Sequence, residues 1–174
     1  ILEKENRNEI MLVISAMGKT TNAIEKTLVD FRKNNGHLEI SALSEIIEYH
    51  ENIMTELFEG NTSHPIFETM TNLFFGEMLS TTLISAYLNE CGIKNELLDA
   101  REFIITDHNF RSANPEWDDC RLRIQKLNDN HDGTMYITQG FIANSVSPKT
   151  TTTLGREGSD FSAAIFANCL DAEE

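Results

Sequence analysis

The sequence predicts an α/β domain with a mostly parallel sheet, and three observations predict it. Ile10-Met11-Leu12-Val13-Ile14 is a short unbroken apolar run ending on Ser15-Ala16-Met17-Gly18, the pattern of a strand buried on both faces. Segments of helical period follow it, and extended candidates alternate with helical ones through the second half of the chain. Gly and Pro number only 9 and 3 in 174 residues, so neither collagen-like nor linker-dominated sequence accounts for the chain. In sheets of this class ligands sit beyond the carboxyl ends of the strands, which directs attention to the loops starting at Ser15, Asp99 and Gly140.

Taken in order, Ile1 to Arg7 reads as the last turns of a helix, and the absence of an initial Met suggests a missing N-terminus. After the first strand a helix is expected, capped by Thr21 or Asn22, with Ile24, Leu28 and Phe31 on one face and Asn34-Asn35-Gly36 as its stop. Leu43, Ile46, Ile47, Met54 and Leu57 fall at helical spacing and predict a second helix from Ile40 to Phe58. Gly60 to Pro65 is turn chemistry, and a long helix follows from Ile66 to Cys91. Extended segments are expected at Glu96 to Ala100, Phe103 to Thr106 and Thr134 to Ile142, with helices at Pro115 to Asn128 and Gly158 to Leu170. A chain of this length supports one domain with a sizeable core.

Lys and Arg total 14 against 28 Asp and Glu, a net charge of −14. That balance argues against nucleic acid or an anionic membrane surface as the main partner, because neutralising phosphates requires excess cations. No basic segment leads into an apolar run at the start, and no uncharged stretch is apolar and long enough to span a bilayer. The three cysteines, Cys91, Cys120 and Cys169, lie far apart with no CxxC pair, so a soluble cytoplasmic protein with reduced thiols is expected. The five histidines show no HxxxH or HExxH spacing, so no catalytic zinc site is expected.

Three stretches carry chemical information. Gly18-Lys19-Thr20 resembles the tail of a phosphate-binding loop, but that motif needs glycine at the position of Val13, and the full motif is not met. What remains is either an anion-binding loop between strand and helix or an ordinary capped turn. In the long helix, Ile66, Met70, Leu73, Ile84, Leu88 and Cys91 form an apolar stripe, and Glu77 lands at its centre. A buried carboxylate costs several kcal/mol unless a cation or several donors meet it, so Glu77 either pairs with an arginine of the domain or receives a ligand ammonium. Finally, no acid occurs between Gly133 and Arg156, and the run Leu154-Gly155-Arg156-Glu157-Gly158-Ser159-Asp160 opens an apolar-periodic helix. It reads either as a helix N-terminus kept open for an anion or as a hairpin followed by a helix capped by Ser159 or Asp160.

Four motifs, Ser15-Ala16-Met17-Gly18-Lys19-Thr20-Thr21-Asn22, Gly76-Glu77-Met78-Leu79-Ser80-Thr81, Thr138-Gln139-Gly140-Phe141-Ile142 and Thr151 to Asp160, stand in the order found in aspartate kinases. The resemblance runs from Ile10 to the end of the chain. It implies the amino-acid kinase fold, a three-layer αβα sandwich, and phosphoryl transfer from ATP with Mg2+ to the β-carboxylate of L-aspartate, the first step toward lysine, threonine and methionine. Thr21, Glu77, Phe141, Arg156 and Ser159 match the aspartate pocket of that family, with Glu77 toward the α-ammonium and Arg156 toward a carboxylate. Asp160 matches the aspartate that organises the transfer centre, and Ser15 and Gly18 would lie near the phosphoryl path.

The family opens with a Lys-Phe-Gly-Gly strand and continues into a nucleotide-binding segment and ACT domains, none of which is found in these 174 residues. The expectation is therefore one domain, residues 1–174, forming the central part of an aspartate kinase catalytic domain that is inactive by itself, with a homo-oligomeric full-length protein. The alternatives are a silent aspartate-binding or oligomerisation fragment, and another amino-acid kinase.

Overall fold

In the computed structural model, which describes residues 10–33, 40–71, 76–129 and 134–172, the chain divides into two units. One comprises Ile1–Ser15 and Gly92–Glu174, the other Ala16–Cys91. The expected N-terminal helical turns, and the stop at Asn34 to Gly36, lie outside the described residues.

The larger unit is built on parallel pairing. Strand β1 (Met11–Ile14) pairs with β4 (Met135–Gln139), and β4 with β2 (Asn95–Leu98), both in parallel. A second sheet pairs β3 (Ile105–Thr106) with β5 (Ile142–Ser145) in parallel, and β5 with β6 (Thr151–Thr153) in antiparallel. The central strand β4 is buried throughout, whereas β1 is half-buried along its length, against the expectation of burial on both faces. The reason is position: β1 is at the edge of its described sheet, and its Met11 and Val13 line an apolar cleft of about 500 Å³ with Tyr136, Phe166 and Leu170.

Two expected strands resolve differently. Thr134 to Ile142 breaks at Gly140 into β4 and β5, because Phe141 turns to φ 71°. The extension to Ala100 ends earlier, since Asp99 caps a short helix α5 (Ala100–Phe103): its carboxylate accepts from the Arg101 amide at 3.0 Å and is paired with the Arg101 guanidinium at 2.6 Å. Gln139 at the end of β4 supports the same helix start, its Oε1 accepting from the Ala100 N–H at 2.8 Å. Burial pushes the Asp99 carboxyl up, but the Arg101 side chain, amide and charge together outweigh it and hold the group below its ordinary range. The loop at Asp99 is thus a closed structural joint.

Helices α6 (Trp117–Asp129) and α7 (Gly158–Leu170) follow their expected spans closely. They share a core in which Cys120 and Ile124 of α6 and Ile165, Phe166 and Cys169 of α7 are buried with Ile104, Ile105, Ala143 and Leu154. The smaller unit is helical: α1 (Thr20–Lys33), α2 (Ile40–Leu57), α3 (Ile66–Thr71) and α4 (Gly76–Glu90). Since α1 starts at Thr20, Thr21 and Asn22 lie inside its first turn and do not cap it. Along α2 and its end the buried positions among the described residues are Ile46, His50, Met54 and Phe58, four apart, while Ile47 is 57% exposed. The predicted long helix is described as α3 and α4, with 72–75 outside the described residues. Met54, Phe58, Ile66, Leu79 and Leu83 form this unit's core, and Cys91 is exposed where the sequence placed it on the stripe.

Truncating Phe166, 2% exposed, to Ala is expected to cost about 3–5 kcal/mol in urea denaturation, since transfer and cavity terms add. Asp99→Ala is expected to cost about 0.5–2 kcal/mol through the lost cap. Because the folded-state pKa of Asp99 is lowered, its contribution is present above the unfolded pKa and is lost as pH falls through the folded value. The gap between wild type and variant should therefore close in acid.

Candidate active site

In the smaller unit, the loop leaving β1 is held in one conformation by local bonds. Gly18 takes φ 56°, and the Thr20 amide and hydroxyl both donate to the Met17 carbonyl, at 3.2 and 2.7 Å. A side chain at Gly18 is strained by its left-handed backbone and would also displace the Tyr49 hydroxyl, which lies 2.7 Å from where a Cβ would stand. Gly76 at the start of α4 permits a similar approach, since its Cβ would meet the Ala16 Cβ at 2.9 Å and Thr20 Cγ2 at 3.0 Å.

This approach brings Thr21 and Glu77 together. The Thr21 hydroxyl donates to Glu77 Oε1 at 3.4 Å, a long bond, while Ser80 and Thr81 direct their hydroxyls to the Glu77 carbonyl at 3.0 and 2.9 Å. Glu77 is 7% exposed. Burial pushes its carboxyl up from the ordinary value, opposed by its own backbone N–H and by the Thr21 hydroxyl. The described ion pairs are His64 with Glu90 and Arg101 with Asp99, so among the described residues no protein cation meets this carboxylate. Of the two readings the sequence offered for Glu77, the intramolecular arginine pair is not found among the described residues.

In the larger unit, Phe141, Arg156, Ser159 and Asp160 gather around the start of α7. Gly140 and Phe141 form the joint between β4 and β5: the Ile142 N–H donates to the Gly140 carbonyl at 2.8 Å around Phe141 at φ 71°, a γ-turn of the strained class. This turn touches α7 directly. A Cβ on Gly140 would stand 2.6 Å from Ser159 Cβ and 2.7 Å from its Cα, and one on Gly158 would stand 2.6 Å from the Phe141 ring. The Phe141 N–H donates to Ser162 Oγ at 2.9 Å, and its carbonyl accepts from the Leu154 N–H at 3.0 Å.

Arg156 sits exposed in the β6 to α7 turn between Gly155 at φ 83° and Glu157 at φ 57°, with the Gly158 N–H closing the turn onto the Gly155 carbonyl at 3.1 Å. The N-cap residue of α7 is Glu157, and it makes no side-chain cap. Ser159 and Asp160 lie inside the first turn instead of capping it, which favours the open N-terminus over the capped one. The Thr150 to Thr153 run is a strand, β6, so the hairpin and the open helix start coexist. Ser15, exposed, ends β1 in the larger unit, whereas Gly18 belongs to the smaller one.

Sequence reading missed Tyr49 and Ser162. The first carries no local signal, because its proximity to Gly18 is a tertiary fact. The second is four residues after Gly158, the spacing at which a helical serine reaches back to a carbonyl, and Ser162 Oγ does so at 3.0 Å.

The chain is 30% identical to the aspartokinase of Chlamydia muridarum, an alignment covering 100% of this chain and 41% of that protein. It is 32% identical to the chloroplastic aspartokinase 1 of Arabidopsis thaliana, over 94% of this chain and 33% of the relative. The crystal structure of E. coli aspartokinase III in complex with aspartate and ADP matches 97% of this chain and 42% of its own at 26% identity, with a TM-score of 0.73. The T-state structure of the same enzyme, in complex with lysine and aspartate, gives 0.77. The chain thus spans less than half the length of these relatives, and the likeness bears out the α/β, mostly parallel class. A match to the amino acid kinase family extends over residues 1–174, and the chain belongs to that family.

Proposed function

We propose that the chain is the central part of an aspartate kinase catalytic domain, whose protein transfers the γ-phosphoryl group of ATP to the β-carboxylate of L-aspartate, the first step toward lysine, threonine and methionine. One observation carries this reading: Glu77 is buried with a hydroxyl as its side-chain partner and no described cation beside it. Such a carboxylate is matched by a ligand bearing an ammonium, and an α-amino acid supplies one. The names of the relatives, and the aspartate and ADP held by E. coli aspartokinase III, support the same choice.

The acceptor is a carboxylate already ionised at neutral pH, so the protein needs no general base; it must bring two anions together. In this reading Thr21 and Glu77 orient the α-ammonium end, Arg156 holds a substrate carboxylate through its planar fork, and Phe141 and Ser159 shape the pocket. The uncapped first turn of α7 offers backbone N–H groups and a positive dipole end to negative charge. Asp160 organises the transfer centre, and Ser15 and Gly18 line the phosphoryl path. ATP supplies the phosphoryl group. In this reading Mg2+ would enter on the nucleotide phosphates. No described helix is long and apolar enough to cross a membrane. Separately, the resemblance to aspartate kinases is the ground on which we propose a cytoplasmic, homo-oligomeric full-length protein.

Glu77→Gln in the full-length protein should raise the aspartate KM about tenfold or more, roughly 1.4 kcal/mol of lost binding, while leaving the ATP KM unchanged. The same substitution should stabilise the unliganded fold by up to about 1 kcal/mol, because it removes a desolvated charge. The sign follows from the raised pKa: the ionised form is the one penalised by folding, and the one an ammonium needs. Aspartate affinity should therefore fall as pH drops through the raised value, and Glu77→Gln should flatten that dependence. Unchanged kinetics in the variant would remove Glu77 from the site. Arg156→Ala is expected to lower kcat/KM for aspartate about 30- to 100-fold, from the loss of charge-assisted bonds. Because Arg156 is exposed, its removal should move the denaturation midpoint little, and steady-state kinetics beside urea denaturation checks both halves.

A further inference from the structure

Phe141 is in a conformation that a bulky residue avoids. Its φ of 71°, with the Gly140 carbonyl bonded to the Ile142 amide at 2.8 Å, makes a γ-turn of the left-handed kind, which crowds a side chain where glycine would fit freely. Such strain persists only where the surroundings over-determine it. The turn is over-determined here. Its two outward backbone groups are both used: the Phe141 carbonyl accepts from the Leu154 N–H at 3.0 Å, and the Phe141 N–H donates to Ser162 Oγ at 2.9 Å. Gly140 and Gly158 are the small residues that let this turn and the first turn of α7 touch.

Ser162 is 0% exposed, and its hydroxyl is used both as donor and as acceptor. It donates to the Gly158 carbonyl at 3.0 Å, within α7, and accepts the Phe141 amide from outside the helix. One oxygen therefore joins the strained turn to the helix start where Ser159 and Asp160 lie. The geometry points to Ser162 as a positioning residue: it holds the Phe141 turn in register with the N-terminus of α7, so that Phe141 and Ser159 present one fixed surface to the amino-acid substrate. This rests on the aspartate pocket proposed above. Ser162 is set back from that surface and acts through Phe141.

The test is Ser162→Ala in the full-length protein, read by steady-state kinetics and by amide hydrogen exchange at Phe141. The expected result is an aspartate KM raised about tenfold with the ATP KM within about twofold of wild type, and a Phe141 amide exchanging at least about tenfold faster. A purely structural serine would instead lower activity without separating the two KM values. Ser162→Thr, which retains the hydroxyl, should restore both readouts. Should the Ala variant not fold, Ser162→Cys, similar in size and a weak acceptor, should shift both readouts in the same direction. A folded Ala or Cys variant with wild-type Phe141 protection and wild-type aspartate KM overturns the assignment. If the wild-type protein shows no aspartate-dependent ADP formation, the aspartate kinase reading fails, and the exchange measurement still decides whether Ser162 holds Phe141.

Discussion

The larger unit depends on a contact that leaves no room for a side chain. Where β4 ends, Gly140 lies so close to Ser159 that a Cβ would overlap the backbone of α7. Close packing of this kind is discontinuous: the neighbour either clears or the helix must shift as a body. Because α7 is seated there, its other turns carry Ile165, Phe166 and Cys169 into the core shared with α6, β3 and β5. The same seating sets the orientation of the first-turn amides and of Arg156 in the preceding turn. Within the larger unit, the core and the start of α7 are thus positioned by one constraint, and the left-handed Phe141 stands beside it.

The smaller unit meets a different problem. Gly76 lets α4 approach the loop after β1, and the adjacent Glu77 is carried into a buried place. A domain selected for stability alone would place an apolar residue there or bring an arginine to it. Neither is found among the described residues, and the carboxylate stands with the Thr21 hydroxyl at a long distance. In the proposed reading, the arrangement gives up stability in the absence of ligand and would recover it on binding an ammonium, a trade familiar where binding has to be selective. Asp99 shows the contrasting case: also partly buried, it has Arg101 on its own short helix, and its loop is closed.

Where a residue's role rests on local chemistry, the sequence was legible. The apolar run became β1, Gly158 to Leu170 became α7 over those same residues, and Glu77 was buried as its place in the helical period implied. The burial had a different cause from the stripe that suggested it, because Cys91 is exposed and the buried positions of α4 are Gly76, Glu77, Leu79, Ser80, Thr81, Leu83 and Ser85. Ile47 failed in the same way: periodicity marks a face of a helix but not how wide a strip its neighbours cover.

The amino-acid sequence by itself determined the α/β class, the family through four motifs in order, and the residue types proposed to carry the chemistry. All of these depend on composition, spacing and the identity of single side chains. Only the tertiary structure decided that Thr134 to Ile142 breaks at a left-handed phenylalanine, that α7 begins without a side-chain cap, and that Ser162 and Tyr49 belong beside the motif residues. Each of those depends on contacts between segments far apart in the chain, where a clash of a few tenths of an ångström or one shared hydroxyl selects the conformation, and local propensity carries no record of it.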